Sequence, residues 1–105
     1  MSTMSSESLY VVARAIARAG AESQVREQFE ALVEPTRAEP GCLSYELFVH
    51  EENPAEFLFV QEYQDEAAFD AHLASAHITA MLEVVLPLLA KPPDIRRYRR
   101  LSYSA

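Results

Sequence analysis

The chain has 105 residues, half of them hydrophobic, with 9 Lys and Arg against 16 Asp and Glu for a formal net charge of −7. That is one domain with enough apolar material for a core. The acidic balance excludes the basic face a nucleic-acid footprint needs. No apolar run reaches the length of a membrane span, so no membrane partner is expected. Cys42 is the only cysteine, which excludes an intrachain disulfide framework. The N-terminal stretch MSTMSSES lacks the basic region and apolar core of a signal peptide. A cytoplasmic location fits both. Residues 1–8 read as a disordered tail and 9–102 as the domain.

Leu9 to Ala17 is a first strand, with β-branched and small residues and no breaker. Ala19-Gly20 turns the chain. Ala21 to about Ala38 is a helix: Val25, Phe29, Leu32 and Val33 make an apolar stripe, and Glu22, Arg26, Glu27 and Glu30 fill the other face. Pro35 predicts a kink or break, and Pro40-Gly41 closes the segment. Cys42 to Val49 is a second strand. Strict alternation puts Leu43, Tyr45, Leu47 and Val49 on one face and Cys42, Ser44, Glu46 and Phe48 on the other. A polar connection through Asn53-Pro54 leads to a third strand, Phe57 to Tyr63.

Asp65 is placed to cap a helix running to about Ala74. Ser75 can cap another, roughly Ala76 to Leu89, with Ile78, Met81, Leu82 and Val85 as its apolar face. Pro87 should weaken its last turn. Lys91-Pro92-Pro93 links to a fourth strand, Asp94 to Leu101, whose Arg96, Arg97, Arg99 and Arg100 are expected to pair with the acidic excess. The order strand, helix, strand, strand, helix, strand predicts an α+β ferredoxin-like split βαβ fold with an antiparallel sheet and helices on one face. The other sheet face also carries apolar and aromatic residues, and no segment remains to cover it. A second copy of the sheet would, giving a homodimer.

Glu39-Pro40-Gly41-Cys42-Leu43-Ser44-Tyr45, Glu62-Tyr63, and His72 and His77 in the pattern H-x4-H resemble the antibiotic biosynthesis monooxygenase domain family. The resemblance runs from Leu9 to about Leu101. It implies a dimeric α+β barrel with a pocket between sheet and helices in each subunit. Some members oxygenate quinol-like or polycyclic aromatic substrates with no metal, flavin or haem, and the chain is most similar to small quinol monooxygenases. Haem-degrading members carry an asparagine, a tryptophan and a haem-ligating histidine where ungapped alignment gives Ala13, His72 and Leu82. An isomerase branch shares Glu62, Tyr63 and both histidines but has a further histidine where Val33 stands.

The resemblance thus implies a cofactor-independent monooxygenase using O2 on a small aromatic quinol. The alternatives are an isomerase or other proton-transfer enzyme using the same histidines, and a non-catalytic small-molecule-binding dimer. Imidazole titrates near working pH, so His72 and His77 are candidates for general base and acid. Their plain alternative is to fix a helix–helix corner through hydrogen bonds. Five residues apart, they do not lie side by side on one regular helix, but a break near Ser75 would turn both toward a pocket. Glu62 is the third catalytic candidate: on the pocket face it would orient a histidine, and on the other it would be a carboxylate at the dimer seam. Tyr45, Tyr63, Phe59 and Met81 are candidates for substrate binding, the two phenols because they can donate to a substrate oxygen. Two histidines with Glu62 imitate a metal-binding facial triad only loosely, because the usual helical pair is at i and i+4. No metal or cofactor is expected.

Overall fold

Strand alternation sorts the chain into a covered and an open sheet face. In the computed structural model, which describes residues 7–103, β1 (Leu9–Ile16) and β3 (Glu56–Tyr63) run antiparallel, Leu9 opposite Tyr63 and Val12 opposite Val60. β2 (Cys42–Val49) flanks β3, and β4 (Asp94–Tyr98) flanks β1, both antiparallel. The order across the sheet is β2-β3-β1-β4. With α1 (Glu22–Arg37), α2 (Glu66–Leu73) and α3 (Ala76–Val85), this is the α+β ferredoxin-like fold the pattern predicts. The expected tail falls largely on residues 1–6, outside the described residues.

On β3 the odd positions Phe57, Phe59, Gln61 and Tyr63 are buried and the even ones half-buried. Leu9, Val11 and Ala15 of β1 are buried with them. Val25, Phe29 and Leu32 of α1 meet this face. Phe29 lies edge-to-face against Phe57 and Phe59, with ring centroids 5.4 and 5.0 Å away. That geometry suits the ring quadrupoles and fixes the helix on the sheet. Among the described residues no single helix is long and apolar enough to cross a membrane.

Local chemistry departs from expectation in three places. α1 passes through Pro35 to Arg37 rather than breaking. Pro35 stands in the last turn, so it removes only the one hydrogen bond its amide would make to the Ala31 carbonyl, and the helix ends two residues later. Pro87 acts as expected: α3 stops at Val85 and tightens into a 3-10 turn, Leu86–Leu88. β4 ends at Tyr98, short of Leu101, and is exposed throughout. Of the four arginines, Arg96 meets Asp94, Arg97 Glu66 and Arg99 Glu7, at 3.1, 3.4 and 3.2 Å, while Arg100 donates to the Tyr10 hydroxyl instead of an acid. Finally, a bulge between Cys42 and Ser44 breaks the alternation of β2. It leaves Leu43 exposed and turns Cys42 to the inner face beside Tyr45, not the outer one.

Gly41 is needed for a close approach. A β-carbon there would run into the β-carbon of Ala68 on α2. Both atoms are fixed to backbone, so neither can swing away. The Gly41 carbonyl also accepts from Gln64 N–H at 2.9 Å, tying the turn after α1 to the end of β3. Gly41→Ala is therefore expected to cost about 1–3 kcal/mol in chemical denaturation. An unchanged midpoint would contradict the close packing.

Candidate functional site

The site forms where the turn after α1 meets the corner between α2 and α3. Asp65 caps α2 as expected, its carboxylate accepting from Ala68 N–H at 2.8 Å. The helix cannot continue past Ala74, because Ser75 starts the next one. Its hydroxyl accepts from Ile78 N–H at 3.4 Å and donates to the His72 carbonyl at 2.7 Å. The chain bends by 54° at this break. The bend turns His72, in the last turn of α2, and His77, in the first turn of α3, toward a common point.

Glu39 is at that point. It follows the end of α1, held by its own N–H to the Thr36 carbonyl at 3.0 Å and by Cys42 N–H on its carbonyl at 3.1 Å. His72 Nδ1 lies 3.2 and 3.0 Å from the two Glu39 carboxylate oxygens. His77 Nε2 lies 2.6 Å from Oε2. A carboxylate can only accept, so both nitrogens carry the hydrogen. That fixes His72 as the Nδ1–H tautomer while it is neutral, and leaves its Nε2 without a protein partner among the described residues. The His72 ring is 4% exposed. It stacks on Phe69 at 6.0 Å with 17° between planes and packs against Tyr45 and Tyr63.

His72 also lines a cavity of about 110 Å³ between sheet and helices. Tyr45, Phe59, Gln61, Met81, Ile78 and Phe29 are among the other walls. The lining is overwhelmingly apolar, and the polar side chains at it are Tyr45, Gln61 and His72. Burial pushes the Tyr45 phenol well above its usual range, so its hydroxyl stays protonated and able to donate. Burial pulls His72 below its ordinary 6.5, against the opposing pull of Glu39. The balance favours the neutral imidazole.

The same shift makes a stability statement. Below about pH 6.5 the unfolded chain takes up a proton at His72 that the folded chain resists, so His72's contribution is complete above that pH and is lost as pH falls through the lower folded value. Between pH 7 and 5, the melting temperature of wild type is expected to fall more than that of His72→Gln. Parallel curves would contradict a buried neutral imidazole.

The structure brings some of the candidate residues together and separates others. His72, Tyr45, Phe59 and Met81 share the cavity wall. His77 does not reach it; it lies behind Glu39 as the second imidazole on the carboxylate. Tyr63 is fully buried and donates to Gln61 Oε1 at 2.6 Å, so its hydroxyl is committed to orienting that amide. Glu62, taken as a possible partner of a histidine, sits on the open face of the sheet. There it accepts from Ser8 Oγ at 2.6 Å and lines a hollow with Tyr10, Arg99 and Arg100. One residue of alternation separates Glu62 from the pocket face. The carboxylate that holds the histidines is Glu39, 33 positions before His72. Gln61 is the other site residue that sequence reasoning passed over. Glu39 has a signal in the sequence, because it heads the Pro-Gly turn of the family-like block.

Residues 8–84 match the family model described as antibiotic biosynthesis monooxygenase. The Mycobacterium tuberculosis protein named "Putative monooxygenase Rv0793" is 35% identical over 82 residues, covering 78% of this chain and 80% of that one. Its solved structure superposes with a TM-score of 0.86 at 31% identity, over 93% of this chain and 99% of the other. A crystal structure of an antibiotic biosynthesis monooxygenase gives a TM-score of 0.85 at 32% identity, over 90% and 99%. An uncharacterised Synechocystis protein, sll1783, is 37% identical over 78 residues, which is 70% of this chain but only 53% of its own length. The present chain thus spans about half of that relative. On the family match and these identities, the chain belongs to the antibiotic biosynthesis monooxygenase family.

Proposed function

We propose that the protein is a cofactor-independent monooxygenase that oxidises a small aromatic, quinol-type substrate with O2. The observation that carries this reading is His72: its Nδ1–H is held by Glu39, and its other nitrogen is free on a ring lining an apolar cavity. A quinol hydroxyl gives its proton to Nε2, and the Glu39 carboxylate stabilises the resulting imidazolium. Tyr45 and Gln61 hold the substrate's oxygens. The electron-rich anion then reduces O2. One oxygen atom enters the carbon frame and the other leaves as water, with all electrons supplied by the substrate. The cavity volume is close to the ~150 Å³ of an apolar protein cavity that holds benzene. That supports a single-ring substrate over a polycyclic one. His77 acts behind Glu39 as a positioning residue.

The test is oxygen consumption by metal-stripped protein with a panel of single-ring hydroquinones. Uptake well above autoxidation, with hydroxylated product, supports the reading. Isomerisation of a substrate without oxygen would replace it with the proton-transfer alternative. Binding without turnover would leave a ligand-binding dimer.

The reading includes a homodimer joined through the open sheet face. Val12, Leu58 and Val60 lie next to one another there, half-buried, with Phe48 exposed beside Leu58. Wild type is expected to run as a dimer in light scattering. Val60→Asp, which puts a carboxylate in the middle of that face, is expected to give monomer. A wild-type monomer would sink this part.

A further inference from the structure

We propose that Glu39, His72 and His77 also form a binding site for one divalent transition-metal ion of the zinc type. His72 Nδ1, His77 Nε2 and a Glu39 oxygen all lie within 4.8 Å of one another. The two sides of this triangle that meet at Glu39 are 3.0 and 2.6 Å. Ligands ~2.0–2.2 Å from a tetrahedral zinc ion lie roughly 3.3–3.5 Å apart, so small side-chain adjustments make room for the ion. Two imidazoles select zinc, cobalt, nickel or copper over magnesium and calcium, which take oxygen ligands. Three protein ligands leave a fourth position open for water. The five-residue spacing of the histidines, unsuited to a straight helix, is made suitable by the 54° bend at Ser75.

The ion and the substrate approach His72 from different sides. Glu39 borders a hollow of about 310 Å³ with Pro40, Asp65 and Ala68, none of which lines the substrate cavity. The His77 side chain is 25% exposed. An ion reaching the triangle by this route displaces the hydrogens that Glu39 now accepts. On each neutral imidazole the hydrogen moves to the other ring nitrogen, so His72 then presents an N–H to the cavity where it had a lone pair. Metal binding therefore silences the base. This second step rests on the proposed oxidation; the site itself does not.

The full chain, stripped of metal, is titrated with Zn²⁺ by calorimetry and with Co²⁺ by visible absorption. The expected result is one ion per chain, with the intense cobalt bands of a tetrahedral site. Glu39→Gln and His77→Gln, each checked for folding by circular dichroism, should weaken binding about tenfold or more. His50→Gln, which removes the histidine outside the cluster, should leave it unchanged. No saturable binding, or a site surviving both cluster substitutions, overturns the proposal. Quinol-dependent oxygen uptake should fall in step with zinc occupancy. Zinc binding with uptake unaffected overturns the silencing alone. Zinc binding by a protein that oxidises no quinol overturns the oxidation and leaves the site standing.

Discussion

His72→Gln is expected to lower quinol-dependent oxygen uptake by about 10²–10⁴-fold, the usual worth of a positioned general base. Glutamine fills most of the volume between Phe69, Tyr45 and Tyr63 and can still donate to Glu39, but it offers no basic nitrogen. The loss should fall on kcat, since the apolar walls that bind the ring remain. Substrate affinity in a non-oxidisable analogue should change by only a few-fold. His77→Gln leaves the cavity wall untouched and should cost much less. If His72→Gln turns over at the wild-type rate, His72 is a packing residue and the base is elsewhere.

Glu39→Gln is expected to reduce kcat about 10–100-fold, as loss of a group that orients a functional histidine typically does. An amide is uncharged and can present its N–H groups as well as its oxygen, so it no longer obliges both imidazoles to donate as the carboxylate does. His72 then loses the contact that selects its tautomer and the charge that stabilises its protonated form. The sign of the pH effect follows. Glu39 raises the His72 pKa against the stronger lowering by burial. Removing the charge lets burial act alone, so the acid limb of the kcat/KM profile moves to lower pH. A residue that merely packed the α2–α3 corner would lower the melting temperature and leave that limb in place.

What could be read from the sequence was what repeats locally. The alternation of β1 and β3, the stripe of Val25, Phe29 and Leu32, and the caps at Asp65 and Ser75 each follow from a few neighbouring residues. The break at Ser75 also made the convergence of His72 and His77 foreseeable. What they converge on was not. Glu39 lies on a turn 33 residues earlier, and its contact with the histidines exists only once α1 packs beside α3. Cys42 was assigned to the wrong face because a bulge adds a residue that alternation cannot register. Tyr63 and Gln61 share a face, yet no pattern says that the Tyr63 hydroxyl is spent on the Gln61 amide and that the amide meets the cavity. Alternation separates Glu62 from Gln61 and Tyr63. Only the packed helices show that theirs, and not its own, is the pocket face.

The central claim is that Glu39 holds His72 with a free lone pair at the cavity. The most direct measurement is the ¹⁵N chemical shift of the two His72 ring nitrogens in metal-stripped protein at pH 7. The expected result is a protonated-type Nδ1 and an unprotonated-type Nε2, reverting toward a tautomer mixture in Glu39→Gln. An Nε2–H tautomer, or an imidazolium at that pH, would contradict it.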